Sequence, residues 1–409
     1  LRFLFVHNNF PAQFVHLAPA LVAQGHEVRA IGSPTAKPMP GIELSRYKLA
    51  RGTGKDVYPL AVRYEADCIR GAASAQVADR MRADGFTPDF IFGHLGWGET
   101  LFLPDIWPDA RSAIYAEFNT RAHGLDVGFD PEFGEIDLPK AMRARAKGGS
   151  VLLALLQAEH GLAPMQFQAD TFPADLRAKI AVCHDGVETQ EACPQPQGRL
   201  DIPGKDLTFR PGDPVITYIN RNLEPLRGLH IFLRALPHIQ RARPDAQFVV
   251  IGDHNPSPYG SPPPAGTSWK DHYLKSLQGQ IDLSRVHFLG RVPRRTYLDA
   301  LAVSAAHIYL TYPFVLSWSL LEAMSVGCLV IGSDTAPVRE AITHERNGLL
   351  VDFFDVEGLA ARAVDALNTP ERYRALREQA RADTIARYDL KTVCLPKLLS
   401  LTHTWTERR

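Results

Sequence analysis

Residues 311–340 read TYPFVLSWSLLEAMSVGCLVIGSDTAPVRE, and Ser317, Ser319 and Glu322 within them have the types and spacing for recognising an anion and hydroxyls. The apolar run 306–310 predicts a strand, and the loop after it opens a short helix over 317–325. The first N–H groups of a helix have no partner inside it and share the positive end of its dipole, so a helix start attracts phosphate. Glu322 projects one turn further in, where a carboxylate accepts hydrogen bonds from hydroxyls. A phosphate site beside a hydroxyl site describes a nucleotide-sugar site. The same residues also read as a capping box, S-x-x-E from Ser319 to Glu322, which would only stabilise the helix.

Further constellations carry polar chemistry. Residues 220–228, NRNLEPLRG, follow a predicted strand over 215–219 and set Arg221 and Arg227 around a turn and a helix start. Two guanidinium groups there could converge on a diphosphate through forked hydrogen bonds. The alternative is a solvated pair at a helix start, which the dipole opposes. In DFIFGHLGWGET, residues 89–100, His94 emerges just past a strand end beside three glycines. A lone histidine there is either a satisfied structural residue or a group that meets donor or acceptor. Glu117 ends the predicted strand 112–117 at the equivalent rim, as an acid, a base or a turn cap.

Other signatures fail. Residues 198–206 imitate a Walker A loop, but the gap is one residue too long and Asp206 stands where Ser or Thr is required. Gly93, Gly96 and Gly98 have the wrong order for a dinucleotide fingerprint. There is no H-E-x-x-H, no G-x-S-x-G and no paired-aspartate metal signature; Glu135 and Asp137 read as surface charge. Zero formal net charge over 409 residues gives no global field favouring nucleic acid. The longest apolar runs, such as 151–156, are too short to span a bilayer, and LRFLFVHNNF reads as a buried strand rather than a signal peptide. Five cysteines without C-x-x-C spacing predict reduced thiols in a cytoplasmic protein, with no disulfide framework and no zinc site. The basic stretch 140–147 ahead of 151–156 reads as an amphipathic helix, with peripheral contact to anionic lipid at the inner membrane face as the alternative.

The elements that position these residues form two βαβ series. Strand 2–6, helix 12–24, a stop at Gly25 and strand 27–31 make the first unit, and such units imply parallel sheets with right-handed crossovers. A helix over 57–81, strands over 89–92 and 112–117, a helix over 138–159 and a strand over 180–183 continue it. Periodicity is lost between 189 and 213. The second series takes strands over 215–219, 248–251, 286–289, 306–310, 328–331 and 348–351. The loop 254–269, HNPSPYGSPPPAGTSW, follows a strand at a carboxyl edge, where open α/β sheets bind ligands. From 356 the chain is helical, broken at Pro370 and near Tyr388. The expected domains are therefore 1–190, a linker over 191–212, 213–387, and a C-terminal helix over 388–409.

Together HNNFPAQF…GHEV, KIAVCHDGVET, NRNLEPLRG, FLGRVP and FVLSWSLLEAMSVG resemble the retaining glycosyltransferases of family 4, over nearly the whole chain. The resemblance implies an α/β chain of GT-B fold, two Rossmann-like domains with parallel sheets facing across a cleft and a C-terminal helix returning to the first. It implies a nucleoside-diphosphate sugar as donor and a saccharide or lipid-linked acceptor, with no cofactor and no required metal. By position, Arg221 and Arg227 grip the diphosphate, Glu322 holds the ribose, and the amides of Trp318 and Ser319 hold a phosphate. Val315, Leu316 and Ser317 touch the sugar, Arg291 and Val292 line the base, and Asp253 belongs to the same donor side. Phe314 replaces the first glutamate of the family's Glu-x7-Glu, and Asn119 replaces its usual histidine, which leaves His94 and Glu117 as polar candidates for catalysis. The loop after the first strand reads Asn8, Asn9, Phe10, Pro11 where paired glycines are usual. A sugar phosphorylase, a nucleotide-sugar epimerase and a donor-binding protein of reduced activity are the alternatives.

Overall fold

The structure, a computed structural model, describes residues 1–254 and 259–407. Of the predicted loop 254–269 and tail 388–409, residues 255–258 and 408–409 lie outside the described residues. The chain divides into two compact units, Leu1–Gly186 with Lys391–Arg409, and Val187–Leu390.

The first unit is built on seven parallel strands: β1 (Arg2–Val6), β2 (Glu27–Gly32), β3 (Glu43–Arg46), β4 (Phe90–His94), β5 (Arg111–Tyr115), β6 (His160–Ala163) and β7 (Ile180–Val182), in the order β3-β2-β1-β4-β5-β6-β7. Alternation along β1 and β4 explains why their runs are apolar throughout. Phe3, Phe5, Phe90 and Phe92 enter one core, and Leu4, Val6 and Ile91 enter another. The helix Leu395–Thr406 contributes Leu398 and Trp405 to the first of these cores. Trp405 stacks on His160 with ring centroids 5.0 Å apart and parallels Phe90 at 6.5 Å. β3 and β6 escape sequence reading because ELSR and HGLA are four residues each, with no alternation and no β-branched residue. The helix expected over 57–81 runs Val62–Ala83, starting beyond Pro59.

The second unit has six parallel strands, β10 (Val215–Asn222), β11 (Gln247–Asp253), β12 (Val286–Gly290), β13 (Ala306–Tyr309), β14 (Val330–Ser333) and β15 (Leu349–Val351), in the order β12-β11-β10-β13-β14-β15. Residues 191–212 are not a linker. They fold with this unit, where β8 (Leu200–Asp201) pairs antiparallel with β9 (Thr208–Phe209) and Leu200, Ile202 and Phe209 are buried. Pro and Gly density reads as a flexible connection, but three apolar side chains suffice to pin the hairpin. The two ends of this unit are tied together: Val187 N–H donates to the Tyr388 carbonyl at 2.7 Å and Leu390 N–H to the Val187 carbonyl at 2.9 Å. Residue 388 thus still belongs to the second unit, and the returning segment begins at Lys391. No helix among the described residues is long and apolar enough to cross a membrane.

Because Trp405 is a 7 %-exposed member of the first unit's core, Trp405→Ala should cost about 3–5 kcal/mol of unfolding free energy, measured by chemical denaturation of the full chain. A loss under about 1 kcal/mol would mean that the C-terminal helix contributes little to that core.

Candidate active site

In the second unit the carboxyl ends of β10, β11 and β12 and the start of the helix Trp318–Val326 border an open cavity of about 440 Å³. Arg221, Arg291, Val292, Ser317, Trp318, Ser319 and Glu322 line it, joined by Asn220, Arg294 and Tyr297. It opens beside β10, from which the strand order runs to β11 on one side and β13 on the other, the switch point at which open sheets bind ligands. Gly252 allows β11 to close in there, since a Cβ would lie 2.7 Å from the Asn220 carbonyl oxygen.

Ser317 is the N-cap of the helix; its Oγ accepts from Ser319 N–H at 3.4 Å and from the Ser319 hydroxyl at 3.0 Å, while its own N–H donates to Tyr309 Oη at 2.8 Å. The alternative reading of Ser319 and Glu322 as a capping box does not hold: Ser317 is the cap, Ser319 lies inside the helix, and Glu322 is turned elsewhere. Its Oε1 accepts from Arg294 Nη1 at 2.7 Å and its Oε2 from the Tyr297 hydroxyl at 2.6 Å. Arg221 sits at the end of strand β10, not at a helix start; it donates to the Tyr259 hydroxyl, with its guanidinium carbon 5.2 Å from that ring's centre. Arg291 pairs with Asp253 at 2.9 Å, which puts Asp253 behind the cavity wall.

Arg227 does not converge with Arg221 on the cavity. It is buried, and its Nη1 donates to Thr311 Oγ1 and to the Val315 carbonyl, both at 2.9 Å. Its guanidinium carbon lies 5.5 Å from the centre of the Phe314 ring, which in turn meets Tyr259 at 5.7 Å. The turn carrying Arg227 ends at Gly228 in the left-handed region, where a Cβ would also strike Leu310 at 2.4 Å. Phe314, Val315 and Leu316 form the loop that Arg227 holds; the cavity wall proper begins at Ser317.

His94 and Glu117 lie in the first unit. His94 is the last residue of β4 rather than a residue beyond it, and it is buried. Its Nδ1 accepts from Gly96 N–H at 3.0 Å, so the proton is on Nε2, which faces Glu117 Oε2 at 3.6 Å. His7 repeats the device, with Nδ1 accepting from Asn9 N–H at 2.9 Å and Nε2 meeting Gln13 Oε1 at 2.9 Å. Gln13 then donates to Glu117 Oε1 at 3.0 Å. His184 accepts from Gly186 N–H at 3.0 Å in the same way. Burial depresses all three imidazoles, His7 and His184 to about 4 and His94 well below the usual range with His7 adding to the effect. The Gly96 and Trp97 carbonyls accept from Arg63 and Arg70, whose charges meet the fully buried Asp67.

Two family descriptions match the chain in succession: "Glycosyl transferase family 4 group" over residues 24–192 and "Glycosyl transferases group 1" over residues 204–383. The chain belongs to the family 4 glycosyltransferases. Among curated relatives it is 27 % identical over 212 residues to a GDP-mannose-dependent monoacylated alpha-(1-6)-phosphatidylinositol monomannoside mannosyltransferase of Corynebacterium glutamicum, covering 50 % of this chain and 51 % of that one. It is 23 % identical over 299 residues to a D-inositol 3-phosphate glycosyltransferase of Segniliparus rotundus, covering 69 % and 62 %. The chain thus spans about half to three-fifths of the curated relatives it matches. Sucrose-phosphate synthase from Thermosynechococcus elongatus shares its GT-B fold with a TM-score of 0.71, 16 % identity and 99 % coverage of both chains. The catalytic domain of starch synthase IV from Arabidopsis thaliana, bound to ADP and acarbose, matches at 0.65 with 14 % identity, over 100 % of this chain and 99 % of that one.

Within this glycosyltransferase the structure gathers Arg221, Arg291, Val292, Ser317, Trp318, Ser319 and Glu322 around one space and sets Arg227, Asp253, Phe314, Val315 and Leu316 behind it. Sequence reading missed Arg294, Tyr297 and Asn220 in the second unit and His7 and Gln13 in the first. The signal for Arg294 and Tyr297 was their i, i+3 spacing at the start of the helix Arg294–Ala302, directly after Arg291 and Val292. His7 directly follows β1 as His94 closes β4, so position at a strand end was its signal.

The depressed imidazoles fix a pH dependence. His7 and His184 each stay neutral in the folded chain to about pH 4 but take a proton near 6.5 when unfolded, so this stability is complete above 6.5 and is lost as pH falls from 6.5 towards 4. The slope should approach about 1.4 kcal/mol per pH unit for each such histidine, and His7→Gln should remove one increment. Urea unfolding at pH 7, 6 and 5 tests this; equal stabilities at all three would contradict it.

Proposed function

We propose that this chain moves a sugar from a nucleoside-diphosphate sugar to an acceptor hydroxyl with retention of configuration, in the assembly of a surface polysaccharide, lipopolysaccharide or glycolipid. The observation that carries the reading is the meeting of Arg221, the helix start at 317–319 and Glu322 in one cavity at the carboxyl edge of a parallel sheet. Arg221 and the helix-start amides receive the diphosphate, Glu322 the ribose, and Arg291 and Val292 the base. Curated relatives named as mannosyltransferases, and a solved neighbour, HepE of Anabaena, in complex with UDP-glucose, support a nucleotide-sugar donor.

In this reading the barrier falls because charge growing on the departing diphosphate meets donors already in place, and fixed guanidinium and amide groups supply this without a metal ion. Arg227 acts one layer back by holding Val315 and Thr311, and so the loop that leads to Ser317. The acceptor hydroxyl attacks on the face that the leaving group vacates, and a phosphate oxygen takes its proton. His94 and Glu117 serve on the acceptor side, where the half-buried Glu117 carboxylate orients a hydroxyl and the buried Nε2–H of His94 faces that carboxylate from behind.

The experiment is a thermal-shift screen of UDP-, GDP- and ADP-sugars followed by nucleoside diphosphate release with and without acceptors. A donor at a hundred times its Kd should stabilise the fold by about 2.7 kcal/mol. Arg221→Ala should lower kcat/KM about 100-fold or more, and Arg227→Ala should sharply lower turnover as well. Unchanged transfer in Arg221→Ala would refute the diphosphate assignment. Donor binding without turnover on any acceptor would favour a protein of reduced activity, for which the apolar Phe314 is the motive.

A further inference from the structure

Glu322 is held more completely than a ligand-binding carboxylate requires. Its side chain is 14 % exposed, and each oxygen has one donor, Arg294 Nη1 on Oε1 and the Tyr297 hydroxyl on Oε2. Arg294 is pulled from its other side by Glu191, whose Oε2 lies 2.6 Å from Nη2. Desolvation, and then the charge of Glu322, push the Tyr297 hydroxyl well above the ordinary phenol range, so it remains a donor. Glu322, Arg294 and Tyr297 line the cavity.

A carboxylate offers about four acceptor sites, two on each oxygen. With one site on each oxygen occupied, one is left on each, the pattern that two neighbouring hydroxyls of a ring satisfy. The terminal torsion of a glutamate is soft and roughly two-fold, so an unheld carboxylate would sample many orientations. Donors on both oxygens remove that freedom before any ligand arrives. We propose that Arg294 and Tyr297 are positioning residues that set Glu322 to accept both hydroxyls of a vicinal diol, so that the site selects ribonucleotides over their 2′-deoxy counterparts. The inference rests on the donor-site reading given above.

A purely structural bridge between the helices Arg294–Ala302 and Trp318–Val326 would affect ribo- and deoxynucleotides alike, and this separates the two roles. The full chain is titrated with UDP, GDP and ADP and with dUDP, dGDP and dADP by calorimetry, and the best-bound pair is carried forward. In the wild type, loss of the 2′-hydroxyl should weaken binding at least about tenfold, as expected for a hydrogen bond to a charged group. Tyr297→Phe, which keeps the ring, and Arg294→Met should each cut that ratio below about threefold, chiefly by weakening the ribonucleotide. Arg294→Lys, which keeps the charge, should recover part of it. Equal binding of ribo and deoxy forms by the wild type, or variants that keep the ratio or lose both forms equally, would overturn the inference while leaving the donor site in place. A wild type that binds none of the six nucleotides would overturn the donor-site reading, and this inference with it.

Discussion

A guanidinium group taken out of water needs partners inside the fold, and in the second unit the buried Arg227 finds two of them on one nitrogen, Nη1. Its partners, Thr311 Oγ1 and the Val315 carbonyl, belong to the loop between β13 and the helix Trp318–Val326. Removing a charge's partners inside a protein costs several kcal/mol, so this loop and the turn at 224–228 are bound to keep their mutual position. The same turn is braced from below by the Tyr218 hydroxyl, which donates to the Arg227 carbonyl at 2.6 Å, and by Tyr312 N–H, which donates to the Leu226 carbonyl at 3.0 Å. Glu224, buried beside it and raised by that burial, accepts from Gly260 N–H at 2.9 Å and so ties in the loop that carries Tyr259. Three separate stretches of chain meet because one cation is buried.

The two units solve opposite electrostatic problems. Around the cavity of the second, Arg221, Arg291 and Arg294 are permanent cations, and each is matched to a hydroxyl or carboxylate that keeps it in place. At the carboxyl edge of the first, imidazoles are kept neutral by burial, and each has its Nδ1 occupied by the N–H two residues ahead. That turn leaves Nε2 as the second nitrogen, which in His7 meets Gln13 and in His94 faces Glu117. Fixed positive charge suits phosphate; neutral N–H groups suit hydroxyls.

Much of this architecture was legible, and the reasons are local. The strands FLFV, FIFG, VITYI and FVVI read as continuous apolar runs because both faces of each parallel sheet are covered. Arg221 and the helix start at Ser317 to Ser319 were legible as candidates because turns after strands and the first turn of a helix are defined by sequence position, whereas Arg291 was reached only through the resemblance to the family. What escaped depends on tertiary contact. Glu322 and Ser319 have capping-box spacing, yet Arg294 and Tyr297, some twenty-five residues away, claim the carboxylate. Arg227 has the composition of a ligand contact, yet its depth in the fold makes it a brace. The region 191–212 has linker composition but folds as part of the second unit, since composition does not reveal that Leu200, Ile202 and Phe209 find a shared surface.

The tied ends of the second unit bear on the order in which the molecule is made. Residues 187–390 are contiguous, and their own backbone pairing at Val187, Tyr388 and Leu390 closes them on themselves. The first unit has no such independence, because Leu398 and Trp405 complete its core from the far side of that insertion. On a ribosome, therefore, the half that begins first is the half that finishes last. Until the helix Leu395–Thr406 emerges, Phe90 and Phe92 lack the Trp405 ring that packs against them.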